Sequence, residues 1–247
     1  MDNFFSNYPV NKSLDIRCPE IYYINMELYH VLNRGVDKRK IFLSDRDHFR
    51  FIHNLFEFND QNPSSSNNYY FSKSSDIGCP NIRKPRKLLV NIHAFCLMPN
   101  HYHILISPIV KDGIPKFMKK INMGYAKYFN EKNKRTGALF QGKYKSVHVS
   151  NNSHFLYIPY YIHLNPLDLI FPEWRTGNVK NTKKAVDYLK KYRWSSHLDY
   201  LGIKNFPSLT QRNFLQGTLG DEGEYNKSFI QMLGEIDIDS LKKSLLE

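Results

Sequence analysis

The chain reads as an α+β protein, an antiparallel sheet backed by helices. Three observations carry that expectation. Strand, helix, strand pair, helix and extended segment follow one another in that order. The strand pair, Leu88 to Cys96 and His101 to Pro108, is separated by little more than Met98-Pro99-Asn100, which makes it an antiparallel hairpin. Each helix-like run carries an apolar stripe at helical spacing. The 247 residues suffice for one large domain, or a domain plus an appendage, and a hydrophobic content of 41% is enough for a real core.

Residues 1–20 look like an irregular lead-in to a domain over 21–200. Ile21 to Asn33 is rich in Tyr, Ile, Val and Leu and reads as the first strand, ending in Tyr29-His30-Val31-Leu32-Asn33-Arg34-Gly35. His30 either touches a ligand or is structural. Val36 to Lys40 is a basic loop, in which Lys38 and Arg39, with Arg34 before them, serve as phosphate contacts or as a solvated surface. Ser44 or Asp45 caps the next element, and Asp47 suits its positive end. Phe49, Ile52, Leu55 and Phe56 then predict an amphipathic helix over 45–58. From 59 to 87 the composition turns to Asn, Ser, Pro and Lys, a long loop insertion ending in the basic cluster Arg83-Lys84-Pro85-Arg86-Lys87.

The hairpin carries His101-Tyr102-His103 just past its turn. Side chains two apart on a strand share a face, with Cα atoms about 6.6 Å apart. His101 and His103 could therefore share one divalent metal while Tyr102 turns to the core; two half-exposed histidines would look the same. Gly113-Ile-Pro115 opens a helix, proline being tolerated in the first turn. Ile114, Phe117, Met118, Ile121, Tyr125 and Tyr128 form its stripe, and Lys116, Lys119, Lys120 and Lys127 lie mostly off it, as a phosphate-tracking or simply solvated face. After a basic turn at 132–137, Ala138 to Val149 is extended. Its aromatics interleave with Lys143 and Lys145, a pattern that suits base stacking with a backbone grip, or a fourth strand with Phe140 and Tyr144 in the core. Asn151 or Asn152 can cap the helix of Phe155-Leu-Tyr-Ile-Pro-Tyr-Tyr-Ile-His-Leu-Asn-Pro166, which either starts at Pro159 or kinks there. In both cases Tyr161 and Asn165 stand one turn apart on one face. Residues 201–247 form a C-terminal extension with two helical patterns, around 210–216 and 224–246.

A formal net charge of +12 favours a polyanionic partner, because basic side chains that neutralise phosphates release condensed counterions. No long basic amphipathic helix or lipidation signal points to a membrane surface instead. Cys18, Cys79 and Cys96 are odd in number and widely spaced, which excludes a disulfide framework and a Cys-x-x-Cys zinc site. No signal peptide or run long enough for a membrane span is evident, so a cytoplasmic, soluble protein is expected.

Taken together, His101-Tyr102-His103, Tyr161 and Asn165 resemble the HUH-type single-tyrosine transposases of insertion sequences and their REP-associated relatives. The phrases His30-Val-Leu-Asn-Arg34-Gly35, Phe140-Gln-Gly-Lys-Tyr-Lys145 and Arg193-Trp-Ser-Ser-His197 are also similar to that family, so the resemblance covers about residues 22–200 with 59–87 as an insertion. It implies a ferredoxin-like sheet with the histidines on a central strand. It also implies a divalent metal, Mg2+ or Mn2+, held by His101, His103 and Asn165, with Tyr161 as nucleophile. Single-stranded DNA with hairpin ends would be cleaved and rejoined through a 5′-phosphotyrosine, commonly by a homodimer, with no small-molecule cofactor. Tyr157 and Tyr160 are neighbouring phenols, and Tyr161 is preferred because it alone stands four before Asn165. Rival expectations are a domesticated hairpin-binding protein that no longer cleaves, and a metal-dependent nuclease that uses water.

Overall fold

The computed structural model describes residues 27–62, 86–177 and 179–235. The lead-in, the start of the first strand, Cys18, Cys79, most of the 59–87 loop with Arg83 and Lys84, and the chain beyond 235 lie outside the described residues.

Strands β1 (Tyr29–Arg34), β2 (Val90–Met98), β3 (His101–Pro108) and β4 (Lys145–His148) form one antiparallel sheet in the order β2-β3-β1-β4. With helices α1 (Asp45–Glu57) and α2 (Gly113–Lys132) after β1 and β3, this is the ferredoxin-like order, and the histidine strand is central. Side chains alternate along β3: Tyr102, Ile104 and Ile106 enter one core, and Leu105 the other. The first core lies under α1 and α2, where Phe51, Ile52, Leu55, Phe117, Ile121 and Tyr125 are buried. Ser44 holds the N-cap position of α1, but Asp47 makes the bonds, accepting from the Leu43 N–H at 2.9 Å and from Ser44 Oγ at 3.1 Å.

The other face is where the sequence said least. Helices α3 (Asn152–Leu164), α4 (Thr182–Leu189), α5 (His197–Tyr200), α6 (Asn213–Leu219) and α7 (Glu222–Glu235) follow β4. The C-terminal segments are a second layer rather than a loose appendage: Leu215, Tyr225, Phe229 and Leu233 share a core with Ile158 and Ile162 of α3 and with Ala94, Cys96 and Leu105 of the sheet. A bulge between Ile92 and Ala94 shifts the alternation of β2, so these two residues fall in opposite cores although they stand two apart. The phrase at 193–197 covers the edge of β2. The Leu97 N–H donates to Trp194 O at 2.8 Å, the Ser196 N–H to Phe95 O at 3.0 Å, and Ser196 Oγ accepts from the Phe95 N–H at 2.9 Å. An edge that would otherwise offer unpaired backbone groups is thereby closed.

The extended segment 138–149 is less regular than its pattern predicts. Only Lys145–His148 is strand, while Leu139 and Phe140 turn into the α1/α2 core. α3 runs through Pro159 from an Asn151 cap that accepts the His154 N–H at 2.8 Å. Among the described residues no helix is long and apolar enough to cross a membrane.

Several histidines are locked neutral in these layers. Burial pushes His48 and His93 down to about 4 and His197 to about 3. An unfolded histidine takes up its proton near pH 6.5, whereas the folded chain refuses it until well below that. Stability is therefore fully present above about pH 6.5 and declines as pH falls toward 4, on the order of 1–2 kcal/mol for each such residue by pH 5. The unfolding midpoint followed by near-UV circular dichroism should be several degrees lower at pH 5 than at pH 7; a flat profile across that interval would contradict the burial of these imidazoles.

Candidate active site

β3 and β1 pair so that His101 lies opposite Arg34 and His103 opposite Leu32, at the sheet end that receives the Pro99-Asn100 turn. His101 and His103 share a face, as their spacing predicts, with ring centroids 4.8 Å apart. His103 is fully buried and His101 partly so. α3 crosses this face and presents Tyr161, also fully buried, edge-on to two imidazoles: 5.9 Å from His103 and 6.0 Å from His30 between centroids. The structure thus brings the phenol of a distant helix against the histidine pair within one chain.

His30 is neither exposed nor facing solvent. Its Nε2 stands 2.9 Å from His103 Nδ1, with the two rings stacked. His101 Nδ1 lies 2.6 Å from Asn100 Oδ1, and the amide orientation follows from Asn100 Nδ2 donating to Lys38 O at 3.2 Å. Since a carbonyl oxygen only accepts, His101 carries its proton on Nδ1 and keeps a lone pair on Nε2. A metal-ligating histidine is oriented by just such a bond from its other nitrogen. The Nε2 atoms of both His101 and His103 are shielded from solvent, so the pair fits two nitrogen ligands of a divalent ion. Among the described residues no group of three or more His, Cys, Asp or Glu side chains is placed to hold a metal.

Asn165, the third expected ligand, opens a 3-10 turn (Asn165–Leu169) directly after α3. Its Nδ2 donates to Tyr161 O at 2.8 Å, and its Oδ1 accepts from Arg175 Nη2 at 3.2 Å. An amide oxygen has two lone pairs, so one acceptor site remains. Arg175, on a second 3-10 turn (Pro172–Thr176), also donates from Nη1 to Tyr161 Oη at 3.0 Å and pairs with Asp168. Sequence reasoning misses the roles of Asn100, Asp168 and Arg175, and it weighs His30 only as a ligand contact or a structural residue. His30 sits on the right strand but nothing in its spacing names His103 as partner, and Arg175 follows no periodic relation to Tyr161.

Beside His101 a groove is lined by Asn33, Arg34, Gln141, Lys143 and Lys145, with Asp168 its one acidic lining residue. It exists because residues 139–142 strap across the end of β1: the Val36 N–H donates to Leu139 O at 2.9 Å and the Gln141 N–H to Arg34 O at 2.8 Å. Lys38 and Arg39 are exposed on the adjoining loop. Lys119, Lys120 and Lys127 are not part of this group. They lie on α2, across the sheet from the histidines, where Lys120 Nζ is bonded to Asp60 O and Lys127 pairs with Glu131 at 3.8 Å.

Residues 83–165 match the family described as IS200-like transposase, a span that takes in His101, His103, Tyr161 and Asn165 and stops short of Asp168 and Arg175. No curated protein sequence matches the chain. Among solved structures it is similar to a REP-associated tyrosine transposase bound to a REP hairpin, at 14% identity over 75% of this chain and 86% of that one, with a TM-score of 0.46.

Proposed function

We propose, from the match of residues 83–165 to the IS200-like transposase family, that the chain cleaves and rejoins single-stranded DNA through a covalent bond to Tyr161. The observation that carries the reading is the packing of Tyr161 against His103 and His30, with His101 alongside, in a single chain. When bound by His101 and His103, with Asn165 completing the protein ligands, Mg2+ or Mn2+ supplies charge relief on a non-bridging phosphate oxygen. Tyr161 Oη attacks the phosphorus in line, its proton leaving to solvent. The P–O3′ bond breaks, and the departing 3′-oxygen takes up a proton. The products are a 5′-phosphotyrosine and a free 3′-hydroxyl, and the retained phosphoester energy lets a later 3′-hydroxyl displace Tyr161 without ATP. All four side chains lie together within one chain.

Arg34, Lys143 and Lys145 give the scissile strand its phosphate contacts, with Lys38 and Arg39 extending the track. For single strands each neutralised phosphate contributes about 0.7 to the slope of log affinity against log salt. The triple change Arg34→Ala, Lys143→Ala, Lys145→Ala should weaken oligonucleotide binding and lower that slope by about 2. Lys119→Ala with Lys127→Ala should leave it within error. Fluorescence anisotropy across a salt series checks both, and equal losses from the two faces would contradict the groove as the path.

The reading is tested by incubating the protein with single-stranded hairpin oligonucleotides and Mg2+ or Mn2+, then resolving the products under denaturing conditions. A protein-linked DNA band supports it. Cleaved strands with no protein attached would point to a nuclease that uses water, and binding without cleavage to a domesticated hairpin-binding protein; either overturns the proposal.

A further inference from the structure

Arg175 lies beyond the segment that matches the transposase family, yet it touches both side chains on which α3 and the following turn would spend their chemistry. Its guanidinium is used as a fork. Nε reaches Asp168 Oδ1 at 3.0 Å and Nη2 reaches Asp168 Oδ2 at 2.7 Å, a two-point grip that fixes the plane of the group. The second N–H of Nη2 reaches Asn165 Oδ1 at 3.2 Å, and Nη1 reaches Tyr161 Oη at 3.0 Å. Asp168 is itself steadied by Trp174 Nε1, and the Arg175 carbon centre stands 5.0 Å over the Trp174 ring.

We propose that Arg175, clamped by Asp168, is a positioning residue for the nucleophile, holding Tyr161 Oη and Asn165 Oδ1 in one rigid arrangement. The inference rests on the reading of Tyr161 as nucleophile. Burial among His30, His103 and Trp174 fixes the phenol ring. The donor at Oη adds direction: one lone pair accepts from Arg175, which steers the hydroxyl proton and the other lone pair. The same cation faces Oη when Tyr161 departs in the rejoining step, as the P–Oη bond breaks and the P–O3′ bond forms, and charge on that oxygen is then met by a preset donor. Lysine cannot make this fork, because its ammonium is a point donor on a flexible stem. Arg175 and Asp168 side chains are 24% and 26% exposed, and a partly exposed ion pair adds little to folding.

The test has one arm that needs no activity. In the full chain labelled with 13Cζ-tyrosine, without DNA, the Tyr161 signal is identified by its loss in Tyr161→Phe. In Arg175→Gln that signal should move at fixed pH while the other tyrosines stay in place; Arg175→Lys should move it part of the way. In the second arm, Arg175→Gln should lower kcat for adduct formation roughly 10- to 100-fold with KM within about twofold, the size of loss expected from a misplaced reacting group. Arg175→Lys should recover only part of the rate. An unmoved Tyr161 signal overturns the proposal whatever the activity. So does an unchanged kcat, or a risen KM alone, which would make Arg175 a DNA contact. A displaced Tyr161 signal in Arg175→Gln, with no adduct formed by the unsubstituted protein, would sink the transposase reading and leave the clamp standing.

Discussion

In Tyr161→Phe, formation of a covalent product with a single-stranded hairpin oligonucleotide is expected to fall by about four orders of magnitude or more, the scale seen when an enzyme loses its nucleophile. Binding of the same oligonucleotide should stay within about twofold. The substitution isolates the chemistry because phenylalanine fills the same fully buried slot against His103, His30 and Trp174. It gives up the bond from Arg175, worth about 1 kcal/mol in stability. The neighbouring phenols serve as controls. Tyr160 faces the C-terminal layer, stacked on Tyr225 at 5.5 Å, and burial pushes its phenol up to about 12. Tyr160→Phe should form the adduct as the native chain does. Tyr157, 5.8 Å from Tyr161 between rings, is the nearer rival, and Tyr157→Phe should also retain the adduct. Gel-resolved time courses with each variant check all three; an adduct that survives in Tyr161→Phe removes the assignment.

His103→Ala should have the second largest effect, a loss of roughly 1000-fold or more in divalent-metal-dependent cleavage with much of the non-specific DNA binding spared. Two consequences follow from the position of this side chain. One of the two imidazole nitrogens that fit a metal is removed, so Mn2+ binding measured by calorimetry or electron paramagnetic resonance should drop in parallel with cleavage. His30 also loses its partner at 2.9 Å inside a buried layer, which should cost about 1–3 kcal/mol of stability. His101→Ala separates the two effects. His101 is partly exposed and its Nδ1 bond is to Asn100, so the metal loss should be similar and the stability loss smaller. Native cleavage rates in His103→Ala at saturating metal would contradict the histidine pair as the metal site.

The parts of the molecule that the sequence exposes are those written at short range. The hairpin is legible because a two-residue turn separates two apolar runs. The α2 stripe is legible because Phe117, Met118, Ile121 and Tyr125 repeat at helical spacing and are all buried. The His101/His103 pair and the Tyr161/Asn165 pair are likewise local periodicities, one of a strand and one of a helix. What joins them is not local. The contact between α3 and β3, the pairing of His30 with His103 and the reach of Arg175 back to Tyr161 depend on three-dimensional packing that leaves no period in the chain. The same holds for Arg193-Trp-Ser-Ser-His197, whose role as cover for the edge of β2 is carried mainly by backbone bonds that any side chains could make. Charge alone does not separate the two faces: Lys119 and Lys127 look like Lys143 and Lys145 in sequence, and only the fold shows that the sheet stands between them.

Peptide mapping of the trapped protein–DNA adduct tests the central claim most directly. After cleavage of a hairpin oligonucleotide with Mg2+ or Mn2+, the adduct is digested with protease and nuclease and the modified peptide is sequenced by mass spectrometry. The account predicts a nucleotide joined through its 5′-phosphate to Tyr161 and a free 3′-hydroxyl on the released strand. A 5′-phosphate on Tyr157, Tyr160 or any other residue, or cleaved DNA with no nucleotidylated peptide, would contradict it.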